Sequence, residues 1–217
     1  LDNPQTDPAP CPSGSFSFTG TDGVTYAFYT IAVDNAGNVE DAPATPDATT
    51  VVDTTVPEGT FAIDGGTDFT GSTAVSLVSN VPEAEDMRFR NAGGAWSDWV
   101  AYVENYDWTL SSGDGVQTVE AEYRDAAGNV LELTDTIVLD ETDPTSAVGT
   151  LADYQTSTEI TVPWSGSDAT SGLAAVELWV DDGSGFTLDQ TDPSPTGDEA
   201  FTYEAQNQGS YAFYTIA

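Results

Sequence analysis

YAFYTIA occupies residues 26–32 and returns letter for letter at residues 211–217. The offset is 185 residues (211 − 26), and the likeness extends upstream. LDNPQTDPAP from Leu1 parallels LDQTDPSPTG from Leu188, and FSF at Phe16 parallels FTY at Phe201. Repetition on this scale marks units strung in series. The heptapeptide is rich in aromatic and β-branched residues, as are TEITVPWSGS at 158–167 and AAVELWVDDG at 174–183. Their apolar and polar residues alternate, which predicts half-buried strands. Turn signals such as SGDG at 112–115 and DGSG at 182–185 separate them, and no stretch keeps a helical period for three turns.

A second kind of unit lies between the two copies. Its closing stretch, YRDAAGNVLELTDTIVLDETDPT from Tyr123, parallels AVDNAGNVEDAPATPDATTVVDTTVP from Ala32. Both read as strand, D-x-A-G-N, strand, then an Asp/Thr/Pro junction. The period therefore holds two alternating units of about 90 residues, near the ~100 of an immunoglobulin-type sandwich. The expected fold is all-β, as tandem immunoglobulin-like antiparallel β-sandwiches. The expected units are 1–54, a partial one, then a complete sandwich at 55–142, and 143–217, partial again. The middle sandwich is expected to carry Trp108 and Tyr123 in its core. Residues 33–54 are expected to pair as a closing strand beside a YAFYTIA strand. The chain is read as a window on a longer tandem protein with a further copy after Ala217, the alternative being strand donation between chains.

Composition removes whole classes of chemistry. The chain has 37 acidic residues against Arg88, Arg90 and Arg124, with no lysine and no histidine, for a net charge of −34. No His-based catalytic arrangement is possible, nor a zinc site of the usual His or Cys kind. Such a charge repels nucleic acid and anionic membrane surfaces. No apolar run approaches the ~20 residues of a membrane helix. Cations are the natural partners, together with neighbouring copies of the repeat. Cys11 has no partner in the chain; it is read as an incidental thiol in a Pro-rich loop, with an intermolecular crosslink as the alternative.

Two resemblances sharpen this picture. Residues 143–217, continued by 33–54, resemble a fibronectin type III-like domain of bacterial or archaeal surface proteins, through VPWSGSDATSGLAAVELWVDD and GSYAFYTIA followed by VDNAGNVE. Trp164 and Tyr211 match that family's core positions. Residues 56–142 resemble a bacterial immunoglobulin-like repeat, through MRFRNAGGAWSDW, WTLSSGDGVQTVEAEYRDAAGN and TIVLDETDPT. The resemblances imply an extracellular or cell-surface setting and a non-enzymatic role as stalk, spacer or adhesin arm.

Acidic residues gather at turns and junctions. Asp34, Asn35 and Asn38 lie in one D-x-A-G-N loop, and Asp125 and Asn129 in the other; Asp53, Asp140 and Asp143 lie in the connectors. One reading is a hairpin loop in which Asp accepts backbone N–H groups, Gly takes a positive φ and Asn tolerates the left-handed region. The other is calcium, which needs 6–8 oxygens that loops supply flexibly. Two carboxylates ~4 Å apart repel by ~4 kcal/mol at an effective dielectric of ~20. Bound Ca²⁺ would relieve this at the eight residues named; screening by very high salt is the competing account. Trp96, Trp99, Tyr102, Tyr106 and Trp108 could form a sugar-stacking platform; the favoured reading is structural, since the resemblance places Trp96 and Trp99 where the repeat has core and strand-edge aromatics. Arg88 and Arg90 are expected to pair across strands with Glu120 and Glu122. No carboxylate pair is marked as lying in a cleft. The function expected is a structural extracellular fibre or stalk stiffened by calcium at its junctions. The alternative is an adhesin or carbohydrate-binding accessory module of a secreted protein.

Overall fold

A computed structural model describes residues 6, 14–197, 199–206 and 209–217, and Cys11 lies outside them. The described residues contain strands, turns and bends but no helix. The fold is all-β, built from immunoglobulin-like sandwiches.

The first described unit is a hairpin. β1 (Thr25–Phe28) pairs antiparallel with β2 (Ala48–Val51), placing Tyr26 opposite Thr50 and Phe28 opposite Ala48. Residues 33–54 thus supply the strand beside YAFYTIA. Phe18 packs edge-on against Tyr26 and Phe28, at 4.7 and 5.3 Å between centroids.

Alternation decides the middle unit. Its strands are β3 (Thr60–Ile63), β4 (Phe69–Thr70), β5 (Ala74–Asn80), β6 (Asp86–Asn91), β7 (Val100–Ala101), β8 (Asn105–Thr109), β9 (Gly115–Arg124) and β10 (Val130–Leu139). They form a five-stranded sheet, β4-β10-β9-β6-β7, and a three-stranded one, β3-β5-β8. Period-two patterning sends Val75 and Leu77 of β5, Met87 and Phe89 of β6, and Val119, Ala121 and Tyr123 of β9 into one core. Tyr123 is fully buried, and Trp108 packs against the core as the sequence suggested. Tyr123 Oη lies 2.6 Å from Ser79 Oγ, which satisfies both buried hydroxyls. One pairing departs from the expected antiparallel order: β4 runs parallel to β10, with Phe69 opposite Val138 and Thr70 opposite Leu139. The chain crosses between sheets after the Gly65–Gly66 turn, so this short segment meets β10 from the other direction.

The last unit has the strands β11 (Thr145–Val148), β12 (Glu159–Ser167), β13 (Val176–Asp181), β14 (Phe186–Asp192), β15 (Glu199–Glu204) and β16 (Ala212–Ile216). They form two sheets, β11-β12-β15 and β14-β13-β16. Ile160, Val162 and Trp164 from one and Val176, Leu178 and Val180 from the other make its core, with Tyr211 and Phe213 packed against it. Tyr203 meets Tyr211 and Phe213 edge-on, repeating the Phe18 cluster of the first unit. Repeated sequence has become repeated packing.

Candidate functional site

The two D-x-A-G-N loops fold alike. Asp34 Oδ1 accepts the N–H groups of Ala36 and Asn38, both at 2.8 Å. Asp125 Oδ1 accepts those of Ala127 and Asn129, both at 2.9 Å. Gly37 and Gly128 take φ of 90° and 97°, where a Cβ would strain the backbone. The asparagines do not adopt the left-handed region expected of them: among non-glycine described residues only Asp64 has a positive φ. Their amides instead donate to the Asp carboxylates, Asn38 to Asp34 at 2.6 Å and Asn129 to Asp125 at 2.9 Å. Those amide bonds are the main cause holding both carboxyls below the usual carboxylate range. Asn35 is exposed and makes no side-chain hydrogen bond in this loop.

The connectors are held by two further aspartates that the sequence reading did not single out. Asp22 Oδ1 accepts Thr54 N–H at 2.6 Å, and its Oδ2 accepts the Thr55 hydroxyl at 2.9 Å. In the middle unit Asp114 Oδ1 accepts Glu141 N–H at 2.8 Å, and its Oδ2 accepts the Thr142 hydroxyl. The bonds correspond position for position, from the Asp of a D-G-V turn to an N–H and then to the hydroxyl of the next residue. Within each connector the leading Asp repeats too: Asp53 accepts Thr55 N–H at 3.0 Å and Asp140 accepts Thr142 N–H at 3.2 Å. Both clamping carboxyls are pushed down, Asp22 chiefly by Thr54 N–H and Asp114 chiefly by Glu141 N–H. The available signal was the shared D-G-V at 22–24 and 114–116.

Each connector is also gripped from the unit it enters. Asn129 Nδ2 donates to the Asp53 carbonyl at 3.3 Å. Ser171 N–H donates to Asp140 Oδ2 at 2.9 Å and to Asp168 Oδ1 at 2.8 Å, so two carboxylates share one proton donor. The negative charge of Asp168 also opposes ionisation of Asp114. The structure therefore gathers Asp53, Asp125 and Asn129 at the first connector, and Asp114, Asp140 and Asp168 at the second. Asp34 and Asn38 stay within their own loop, and Asp143 is exposed with no hydrogen bond from its side chain. Among the described residues, no three His, Cys, Asp or Glu side chains form a metal-binding group by themselves. Any cation would draw on carbonyls, amides and water as well.

All three arginines stand on the outer face of one sheet. Asp86, Arg88 and Arg90 of β6 lie opposite Arg124, Glu122 and Glu120 of β9, and each opposed pair is an ion pair. Trp96 meets Arg88 and Arg90 at 4.9 and 4.4 Å, and Trp99 meets Arg88 and Arg124 at 4.5 and 4.4 Å. Residues i and i+2 of a strand are roughly 6.6 Å apart, about twice a stacking distance, so one ring fits between successive guanidiniums. Trp96 and Trp99 are thus half-buried outside the core, a correction to the core part of their expected place; they lie between β6 and the edge strand β7, with Trp99 directly before it. Each of the two rings therefore meets two guanidiniums. Tyr102, Tyr106 and Trp108 do pack on the core.

Clefts are shallow. One, ≈ 290 Å³, is lined by Thr145, Ser146, Ala147, Ser165, Gly166 and Ser167 and carries no ionisable group. Another, ≈ 370 Å³, includes Asp64, Asp107 and Trp108, but Asp64 is committed to the N–H of Ser76 at 2.7 Å.

No family model and no curated protein matches this chain. Three solved structures are similar in part. Fibronectin(III)-like modules of Clostridium thermocellum CbhA share 13% identity, over 72% of this chain and 93% of that one, with a TM-score of 0.43. Carbohydrate-binding modules of the β-sandwich superfamily share 11%, over 76% and 86%, at 0.34. A tetra-tandem repeat from the extending region of a large adhesion protein shares 20%, over 86% and 54%, at 0.29. The fold assignment rests on the strands and cores described above.

Proposed function

We propose that this chain is a non-catalytic stretch of an extracellular or cell-surface stalk, in which β-sandwich units are held in series by carboxylate clamps on their connectors. The observation that carries the reading is the duplicated clamp. The same two-bond grip from a D-G-V aspartate fixes the connector on leaving both the first and the middle unit. A contact from the following unit then meets it on entry. A connector bonded on both sides loses freedom about its backbone torsions, and the units it joins keep a narrower range of angles. Such a design suits a spacer and gives nothing to a catalyst.

Calcium at the connectors is the second part of the proposal. Every arginine is engaged in the β6–β9 ladder, so no positive side chain of the chain neutralises the carboxylates drawn together around Ser171. A hard cation coordinated by oxygen fits that imbalance.

The clamp is tested with nitroxide labels on Thr134→Cys and Thr187→Cys in a Cys11→Ser background, one label on each side of the second connector. The expected distance distribution is narrow in the parent and broad in Asp114→Ala. Equal widths would remove the clamp as the source of stiffness.

A further inference from the structure

We propose that the outer face of β13 is a docking site for an arginine-bearing segment of a partner protein, which stacks on Trp179 and pairs with the carboxylate of Glu177 or Asp181. Val176, Leu178 and Val180 point into the core, so the alternate residues Glu177, Trp179 and Asp181 stand on the outer face. The strand is hydrogen-bonded to β14 on one side and to β16 on the other, so the face uses no sheet edge. Register puts Leu188 and Tyr214 opposite Trp179, and Phe186 opposite Asp181. The rings gather there. Trp179 and Tyr214, both half-buried, have centroids 5.9 Å apart and planes within 7° of parallel, and Phe186 meets Tyr214 at 4.6 Å. Phe186 and Leu188 remain 44% and 46% exposed, so an apolar, aromatic patch faces water on this sheet.

The middle unit shows which occupant such a patch takes. There Trp96 and Trp99 meet guanidiniums at 4.4 to 4.9 Å, and each guanidinium is ion-paired with a carboxylate of the neighbouring strand. Indole beside carboxylate is how this chain holds arginine. β13 repeats the receiving half of that arrangement, and residues 143–217 contain no arginine, lysine or histidine to fill it. Glu177 Oε2 accepts the Trp179 indole N–H at 2.9 Å, which fixes the ring beside the carboxylate. Asp181 Oδ1 accepts the N–H groups of Gly183 and Gly185, both at 2.8 Å. The second oxygen of each carboxylate has no hydrogen bond among the described residues. Residues i and i+2 of a strand are roughly 6.6 Å apart, so a guanidinium lying on the indole reaches either of those oxygens. A net charge of −34 draws a basic segment in and repels an acidic one. A neutral sugar would gain the stacking but none of the charge. The inference goes beyond the stalk reading and fails separately from it, since the clamps lie in the connectors and need no ligand.

The test uses the full chain and its five indole N–H signals, one per tryptophan, in two-dimensional NMR. The probes are the blocked peptide Gly-Arg-Gly-Arg-Gly and its lysine counterpart, at ~0.15 M NaCl to screen long-range attraction. The arginine peptide should move the Trp179 signal and leave those of Trp96 and Trp99, which already meet arginine, in place. It should bind about fivefold or more tighter than the lysine peptide, because only the planar guanidinium both stacks and forks. Trp179→Ala leaves the net charge alone and should make the two peptides equal. Glu177→Gln keeps an acceptor for the indole, and should weaken the arginine peptide about twofold or more. Equal affinity for the two peptides in the parent, a Trp179 signal that stays still, or indifference to both substitutions overturns the proposal. So does a Trp179 signal that moves with a neutral β-glucan hexasaccharide and not with the arginine peptide, which would make the patch a sugar platform.

Discussion

Tyr123 shows how much one polar atom decides inside an apolar core. Burial pushes its phenol up to about 12, against which the Ser79 hydrogen bond is the smaller, opposing effect. Because the folded value lies above the unfolded one of ~10, stability is full below ~10 and is lost as pH rises towards 12. Tyr123→Phe should remove that alkaline loss. It should also cost about 1–2 kcal/mol at neutral pH, by stranding the Ser79 hydroxyl; urea unfolding at pH 7 and pH 11 checks both. A further Ser79→Ala should restore part of the loss, since neither polar group then remains. Asp22 and Asp114 work in the opposite sense. Their carboxyls are held down by connector N–H groups, so their contribution is full above ~4 and fades as pH falls through their lowered folded values. Thermal unfolding of Asp22→Ala/Asp114→Ala should therefore depend less on pH below ~4 than that of the parent. Parallel pH profiles would show that these carboxylates do not couple to folding.

At the scale of elements, what the sequence made legible was local, and what it hid was made by long-range contact. The alternation in β12 and β13 announced its own burial, and the D-x-A-G-N hairpins showed their aspartate caps and glycine turns. The asparagine was misread because its amide, rather than its backbone, does the work. Asp22 and Asp114 stood in ordinary D-G-V turns; only the path of a connector 32 or 27 residues away makes them clamps. The two-residue strand β4 is too short to carry a pattern, so its parallel pairing could not be foreseen. The β6–β9 face was half-read. Arg88 and Arg90 do pair with Glu122 and Glu120, yet Trp96 and Trp99 are placed by those arginines rather than by the core. Arg88 is the central rung, bonded through Nε to Glu122 at 2.6 Å and flanked by both tryptophans. Arg88→Lys keeps the charge but loses the planar fork and the stacking, and should cost about 1–2 kcal/mol in urea unfolding. An unchanged midpoint would make the ladder ornamental.

Across the whole molecule, charge is the quantity most out of balance. A net charge of −34 rests on 37 acids and three arginines, and those arginines are ion-paired on a single sheet face. At the second connector, Asp140 and Asp168 converge on one N–H while Asp114 lies close enough to feel Asp168. At the first, Asp125 and Asn129 sit beside the Asp53 carbonyl. Hydrogen bonds position these oxygens without removing their charge, which leaves two ways to relieve the repulsion. A diffuse ion atmosphere screens all the carboxylates alike, strongly at ~1 M salt where the screening length is ~3 Å. Bound Ca²⁺ acts only where several oxygens meet, and it stabilises the folded state by mass action. The two make different demands on ionic strength. If calcium binds at the connectors, chelation lowers the melting temperature, millimolar Ca²⁺ restores it, and NaCl at matched ionic strength does not. Asp140→Ala should blunt the calcium response, whereas Asp192→Ala, on β14 and outside both connectors, should leave it intact. Recovery with NaCl alone would assign the acidic surface to salt adaptation and leave the carboxylate clamps as the connectors' own means of holding their angle.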